Sequence, residues 1–278
     1  MNKKAEIKVS ARKSSGLLFE KYEYSSGAVE PLAHHVHPEY QLSITTQANG
    51  AYYYRGGKLR FPPSVLAIIH TGERHAPIKV AFDKPESYGV MYIAPDELLN
   101  AAKEIGWQKN ELPYFKEVLF TDQTLLKRLL GFFSGSREER SLDEDVAELD
   151  FLTYLTGNFA QNINSAFINK KHPACVKLAR EYLDANFASH VSLNELARIA
   201  KVGKYYLCRE FRRIVGFSPH QYQNNLRMNS ARKLILQNKP LAEISQELGY
   251  CDQSHFGRNF KRYVGIPPKF YFGGATLF

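Results

Sequence analysis

The sequence predicts an α+β chain: a β-rich N-terminal part followed by helices, then an all-α part built from two helix-turn-helix units. Three observations carry this. A helical phrase occurs twice near the C-terminus, β signals stop near Ile93, and the charge is divided unevenly. The repeated phrase runs Leu207-Cys-Arg209-Glu-Phe211-Arg212-Arg213-Ile-Val-Gly216 and returns as Phe256-Gly-Arg258-Asn-Phe260-Lys261-Arg262-Tyr-Val-Gly265. The segments before them also match, Leu193-Asn-Glu195-Leu196-Ala197 against Leu241-Ala-Glu243-Ile244-Ser245. The offset is 48 residues in the upstream helix and 49 in the downstream one, so the second copy has one more residue in its turn. A helix, a short turn and a second, basic helix make a helix-turn-helix.

At 278 residues the chain is long enough for two domains, each with its own core. From Pro173 onward there are 16 Lys and Arg against 7 Asp and Glu; with totals of 37 and 28, the upstream part holds 21 of each. The whole excess of +9 therefore lies in the C-terminal part. A basic domain of duplicated helices attracts a phosphate backbone, because each neutralised phosphate releases counterions. The three cysteines, Cys175, Cys208 and Cys251, have no metal or disulfide spacing and read as thiols in a reducing compartment. The N-terminus lacks an apolar secretion core, and no stretch reaches the roughly 18 apolar residues that span a bilayer, so a cytoplasmic protein without a membrane partner is expected.

Along the first 93 residues, Ala51-Tyr-Tyr-Tyr54, a Gly56-Gly57 turn, Lys58 to Phe61 and the apolar run Val65 to Ile69 read as short strands of a sheet sandwich or barrel. From Pro95 the periodicity becomes helical. Leu125, Leu126, Leu129, Leu130 and Phe133 form one stripe; after the Ser134-Gly-Ser136 break, a Ser141–Glu144 capping box precedes a second stripe of Val146, Leu149, Leu152, Leu155 and Phe159. Such stripes cover the sheet or pair two subunits, and a duplex-binding chain gains from dimerising on paired half-sites. The expected organisation is 1–112 for the β-rich domain, 113–163 for a helical dimerisation or packing region, 164–172 for a linker and 173–278 for the DNA-binding domain.

In that last domain Ser192-Leu-Asn-Glu195 is a capping box, so one helix starts there and stops near Val202-Gly203, and the first recognition helix starts near Lys204. Leu207, Phe211 and Ile214 face inward, leaving Tyr205, Cys208, Arg209 and Arg212 outward. A long helix between His220 and Gln237 joins the two units. Pro240 opens the upstream helix of the second unit, and Asp252 caps its recognition helix. Phe256, Phe260 and Tyr263 then face inward, leaving Gln253, Ser254, His255 and Arg258 for the groove. Candidate base readers are therefore Tyr205, Cys208, Arg209, Gln253, Ser254, His255 and Arg258; Arg pairs twice with guanine and Gln twice with adenine. Candidate phosphate contacts are Lys204, Arg212, Arg213, Lys261 and Arg262. A structural tie to Glu210 or Glu243 is the competing assignment for either reading arginine.

Leu207-x-Arg209-x-Phe211, paired with Phe256-x-Arg258-x-Phe260-Lys-Arg-x-x-Gly265-x-Pro267-Pro268-x-x-Tyr271, resembles the DNA-binding domain of AraC/XylS-type transcription regulators over Pro173 to Tyr271. Gly203 departs from that pattern, standing where the family usually has a capping serine. Upstream, His34-His35-Val36-His37-Pro-Glu39-Tyr40-Gln41 and His70-Thr-Gly72-Glu73-Arg74-His75 resemble the two motifs of a cupin barrel, which members of this class use as an effector sensor. The metal-binding cupin pattern maps onto His35, His37, position 41 and His75, but position 41 is Gln and the usual Pro of the second motif is His70. No cofactor or metal is therefore expected, His35, His37 and His75 being the candidates were one held. The expected effector pocket is His35, His37, Tyr40, Gln41, Tyr52, Tyr54 and His75.

The resemblance implies a sequence-specific transcription regulator, an activator, controlled by a small molecule in the barrel. Its partners would be promoter DNA, the effector, RNA polymerase and a second copy of the chain, and it would not be an enzyme. The competing readings are a metal-dependent cupin enzyme with a DNA-binding tail and an architectural protein with little sequence preference. For the latter, wedge residues and minor-groove arms are not evident.

Overall fold

The computed structural model describes residues 4–14, 16–45, 47–78, 81–108, 110–133, 142–161 and 173–271. The Ser134-Gly-Ser136 break, the Ser141–Glu144 capping box and the linker 164–172 lie outside the described residues or side chains. The chain divides into two compact units, one of residues 1–34, 38–163 and 270–278, the other of 35–37 and 164–269.

In the first unit, strands β1 (Ile7–Ser14), β2 (Leu17–Tyr24), β3 (Gly27–Ala28), β4 (Tyr40–Thr45), β5 (Gly50–Tyr54), β6 (Gly57–Phe61), β7 (Leu66–Ile69), β8 (His75–Pro77), β9 (Ala81–Phe82), β10 (Glu86–Ile93) and β11 (Leu119–Phe120) make three antiparallel sheets. The largest has the order β1-β2-β10-β4-β7-β11, the second β6-β5-β8, and β3 pairs with β9. Side chains alternate across a strand, so register sorts residues to faces. One face of the large sheet carries Leu17, Phe19, Leu42, Ile44, Met91 and Ile93, all buried in the main core. The other carries Glu20, Tyr22, Ser43, Thr45, Val90 and Tyr92, by the pairings Val90↔Glu20 and Val90↔Ser43. Against this second face, Tyr52, Tyr54 and Phe61 of the small sheet pack on Ala67 and Ile69.

The β5–β6 turn falls one residue earlier than the sequence suggests. Tyr54 pairs with Gly57, leaving Arg55 and Gly56 as the two turn residues, with φ of 50° and 79°. A two-residue hairpin turn with both φ positive matches the strand twist. Arg55 is held there by two bonds to Glu73, Nε–Oε2 at 2.9 Å and Nη2–Oε1 at 3.1 Å.

Helices α1 (Pro95–Glu104), α2 (Gln123–Phe133) and α3 (Leu142–Phe159) follow. Leu98 and Ala101 of α1, Leu125, Leu126, Leu129 and Phe133 of α2, and Phe151, Leu152 and Leu155 of α3 complete the core on the outer face of the large sheet. The α2 stripe is thus the expected one. The α3 stripe is rotated: Phe151 is buried, while Val146 and Leu149 are 59% and 47% exposed. A mean helical period placed the sequence stripe, but the packing of the Phe151 ring into the core, edge to face with Phe132 at 5.6 Å, selects the buried face.

The second unit contains α4 (Ala174–Asn186), α5 (Leu193–Ile199), α6 (Lys204–Val215), α7 (Pro219–Leu236), α8 (Leu241–Glu247) and α9 (Gln253–Val264), then a short turn of helix, Pro268–Phe270. Pro173 and Pro240 sit at the N-caps of α4 and α8. The Ser192–Glu195 box forms with both bonds, and a Ser218–Gln221 box caps α7 in the same way. Asp252 accepts from the His255 N–H at 2.6 Å. Gly216 and Gly265 end α6 and α9 in the left-handed region at φ 82° and 96°, where glycine has no Cβ to clash. The 18 residues of α7 make a rod about 27 Å long between the two helix pairs.

Candidate functional site

In α6 the buried residues are Leu207 and Phe211; in α9 they are Phe256, Phe260 and Val264. Val264 rather than Tyr263 completes the α9 stripe. The opposite faces are open: Lys204, Tyr205, Arg209, Arg212 and Arg213 on α6, and Gln253, Ser254, Arg258 and Arg262 on α9, are exposed. Cys208, His255 and Lys261 are partly buried. The candidate readers therefore share one face of each helix.

The two reading arginines differ in their surroundings. Arg209 lies 3.5 Å from Glu210, with its guanidinium 5.4 Å from the Tyr206 ring. Glu210 itself is gripped by Arg213, Nε at 3.0 Å and Nη2 at 2.8 Å. That hydrogen bond holds the Glu210 carboxyl below the ordinary carboxylate range, with the nearby Arg213 and Arg209 charges adding to it. Solvent screens such an exposed pair, so it orients Arg213 more than it stabilises the fold. Arg258 has no hydrogen bond or ion pair among the described residues and is within electrostatic range of Asp252.

In the first unit Gln41, Tyr52 and His75 come together. Gln41 Nε2 donates to Ser43 Oγ at 2.9 Å and to the Tyr52 hydroxyl at 3.1 Å, and Gln41 Oε1 lies 3.2 Å from His75 Nε2. Ser43 Oγ is 3.0 Å from the Tyr52 hydroxyl. His75 Nδ1 meets the Glu73 carbonyl at 2.9 Å, which fixes the ring. Burial pushes the Tyr52 phenol up despite its bonds to Ser43 and Gln41, keeping it a neutral donor and acceptor.

Of the other expected pocket residues, Tyr54 pairs with His75 across β5 and β8 and shares the face of Tyr52. Tyr40 points to the opposite face of its sheet, its hydroxyl donating to the Pro113 carbonyl at 2.7 Å. Tyr54 bonds to His70 Nδ1 at 3.1 Å. His35 and His37 belong with the second unit, where the Val36 N–H donates to Asn225 Oδ1 and Asn229 donates to the Val36 carbonyl, each at 3.1 Å. Residues of the candidate metal set are thus drawn from both units.

Sequence reasoning passed over Glu20, which is fully buried. It accepts from the Tyr22 hydroxyl at 2.6 Å and from the hydroxyl of Tyr271, which is part of the first unit. Tyr24 and Tyr88 stand edge to face, 5.7 Å apart. Burial, and then the neighbouring Tyr52, Tyr88 and Glu20, push the Tyr24 phenol well above its usual range. The signal was present: Leu18, Glu20, Tyr22 and Tyr24 alternate along β2, and one acid among aromatic residues on an inward face implies a built polar interior.

His70 is a buried histidine serving structure. Its Nε2 accepts from the Phe115 N–H at 2.9 Å, and its Nδ1 faces the Tyr54 hydroxyl at 3.1 Å and Arg55 Nη2 at 3.2 Å. Its pKa is lowered to about 4, chiefly by burial, which Glu73 opposes and the Arg55 charge assists. The folded value lies below the ordinary 6.5, so the unfolded chain takes up the proton first and stability falls as pH drops from about 6.5 to 4. The expected loss is about 2 to 3 kcal/mol, and His70→Gln should flatten that part of a urea-unfolding profile. Equal pH slopes in the two proteins would rule His70 out as its source.

A family model described as AraC-like ligand binding domain matches residues 31–151, and one described as helix-turn-helix domain matches residues 196–273. The HTH-type transcriptional regulator YbfI of Bacillus subtilis (strain 168) is 26% identical over 240 residues, 86% of each chain. The lactose operon transcription activator of Staphylococcus xylosus is 20% identical over 239 residues, covering 83% of this chain and 82% of that one. Among solved structures, ToxT from Vibrio cholerae O395 aligns with a TM-score of 0.61 at 14% identity, over 93% of this chain and 97% of that one. Wild-type ToxT of Vibrio cholerae strain SCE256, solved with an unsaturated fatty acid bound, aligns with a TM-score of 0.61 at 12% identity, over 94% and 96% of the two chains. At such identities the likeness is one of fold.

Proposed function

Because the chain belongs to the AraC-type transcription regulators, which are DNA-binding proteins with an N-terminal ligand-binding domain, we propose that it reads two successive major-groove segments of one operator with α6 and α9. The observation that carries this is the pair of exposed basic faces on helices of equal length, 12 residues each, joined through the single helix α7. Arg209, Arg258 and Gln253 are the base readers of first rank; Tyr205, Cys208, Ser254 and His255 complete the reading faces. Lys204, Arg212, Arg213, Lys261 and Arg262 contact phosphates. Selection of bound duplexes from a random pool by the full-length protein, at a stated near-physiological salt concentration, tests this reading. Two short enriched blocks about one helical turn apart are expected. Salt-sensitive binding without enrichment would refute it.

The effector is proposed to bind among Gln41, Ser43, Tyr52, His75 and Glu20, buried hydrogen-bonding groups drawn from the large sheet and from the small sheet packed on it. The function is regulatory and non-catalytic, in the cytoplasm, and activation, with RNA polymerase as partner, is the mode proposed. Ligand binding shifts the regulator only as far as it favours one arrangement of the chain over another.

A homodimer is proposed through α3, whose Val146 and Leu149, three residues apart, are exposed apolar side chains on one face. Val146→Asp with Leu149→Asp is expected to convert a sedimenting dimer to monomer without lowering the unfolding midpoint, since neither side chain is buried. An unchanged sedimentation coefficient would remove α3 from the interface.

A further inference from the structure

Tyr205 is 82% exposed, the highest value among the exposed large hydrophobic residues of the described chain. It takes no part in the core that Leu207 and Phe211 build. Its ring lies beside the Lys204 ammonium, Nζ 5.3 Å from the centroid. It is the second residue of α6, in the turn that a recognition helix presents to base edges. A phenol ring left in water there has apolar surface to bury against a partner.

The 49-residue offset between the two helices aligns Lys204 with Gln253, Tyr205 with Ser254, Tyr206 with His255 and Arg209 with Arg258. The arginines are the same, but the preceding turn is aromatic and basic in α6 and polar in α9. Among base edges in the major groove, only thymine offers an apolar group, its C5 methyl. Tyr205 and Arg209 are four residues apart, hence on one helix face and about 6 Å apart along the axis, close to two base steps. Lys204, at the start of the helix and flanking the ring, is placed to anchor a phosphate beside it.

We propose that Tyr205 reads a thymine methyl in the half-site under α6, within about two base steps of the guanine taken by Arg209, and that Ser254 leaves the half-site under α9 without such a contact. The operator is then asymmetric and the chain binds it in one orientation. This rests on the reading of α6 and α9 as recognition helices.

The test uses the full-length protein and the duplex it enriches from a random pool, with each thymine replaced in turn by deoxyuridine, which keeps the base pair and removes only the methyl group. One replacement in the α6 half-site should weaken wild-type binding about three- to fivefold, the worth of one buried methyl. Tyr205→Phe should keep that discrimination. Tyr205→Ala should bind the thymine and uracil duplexes equally, with an unchanged melting temperature because the side chain is exposed. If no uracil duplex differs for the wild type, or if Tyr205→Ala discriminates as the wild type does, the methyl contact is overturned. A uniform loss in Tyr205→Phe with silent uracil replacements would instead assign the hydroxyl to a phosphate, which also overturns it. Failure of the underlying reading looks different: either no duplex is enriched, or Arg209→Ala and Arg258→Ala bind every duplex as the wild type does.

Discussion

Gly249→Ala is expected to destabilise the second unit by about 3 to 5 kcal/mol, enough to leave little folded protein at 37 °C. Gly249 follows α8 with φ 72°, in the left-handed region. A Cβ built there falls 1.7 Å from the Ala188 carbonyl oxygen and 2.9 Å from its carbon, both backbone atoms that cannot swing away. The end of α4 is clamped at the same place. Arg227 Nε donates to the Phe187 carbonyl at 2.7 Å and Nη2 to the Ser189 carbonyl at 3.1 Å. Gln223 Nε2 adds bonds of 3.0 and 2.8 Å to the same two oxygens. A guanidinium at a helix C-terminus satisfies orphan carbonyls and faces the negative end of the dipole. The Arg227 guanidinium also lies 5.3 Å from the Tyr250 ring, so α4, α7 and the entry to α9 meet at one close approach. An added methyl would have to part them. Urea unfolding followed by tryptophan-independent circular dichroism measures the loss, and Gly203→Ser is the control. Gly203 has φ −66° and open space where its Cβ would be, so serine there should leave stability unchanged or raise it by a few tenths of a kcal/mol through N-capping α6. A Gly249→Ala protein as stable as the wild type would refute the close approach.

Arg258→Ala is expected to cost about 1 to 3 kcal/mol of operator affinity, with the loss concentrated at one base pair, because a bidentate bond to guanine is removed. Arg262→Ala should weaken all sequences alike and reduce the salt slope by about one, as expected for a phosphate contact. The two side chains lie four residues apart on α9 and both are exposed, so neither substitution should disturb the core of Phe256 and Phe260. Binding measured on the enriched duplex and on single-base variants, at three salt concentrations, separates the roles. An equal loss on every sequence for Arg258→Ala would remove it from base reading. Arg209 gives a less clean result than Arg258, since its partner Glu210 is shared with Arg213.

Much of the second unit was legible in the sequence because its determinants are local. The Ser192–Glu195 box, the Asp252 cap, the glycine ends of α6 and α9 and the inward stripes all act within a few residues. Their side chains meet wherever the backbone is helical. The strand-rich beginning and the helix starting at Pro95 were legible for the same reason. Tertiary structure decided what depends on register and close approach. It placed the turn at Arg55–Gly56, set the Tyr40 hydroxyl on the Pro113 carbonyl, rotated the buried face of α3 and set Tyr271 against Glu20, 251 residues away. It also required glycine at 249, a demand that arises only when the end of α8 meets the Ala188 carbonyl. Hydrophobic periodicity says that a residue is buried; which partner it meets is settled by the packing of whole elements, where a one-residue change of register exchanges the two faces of a strand.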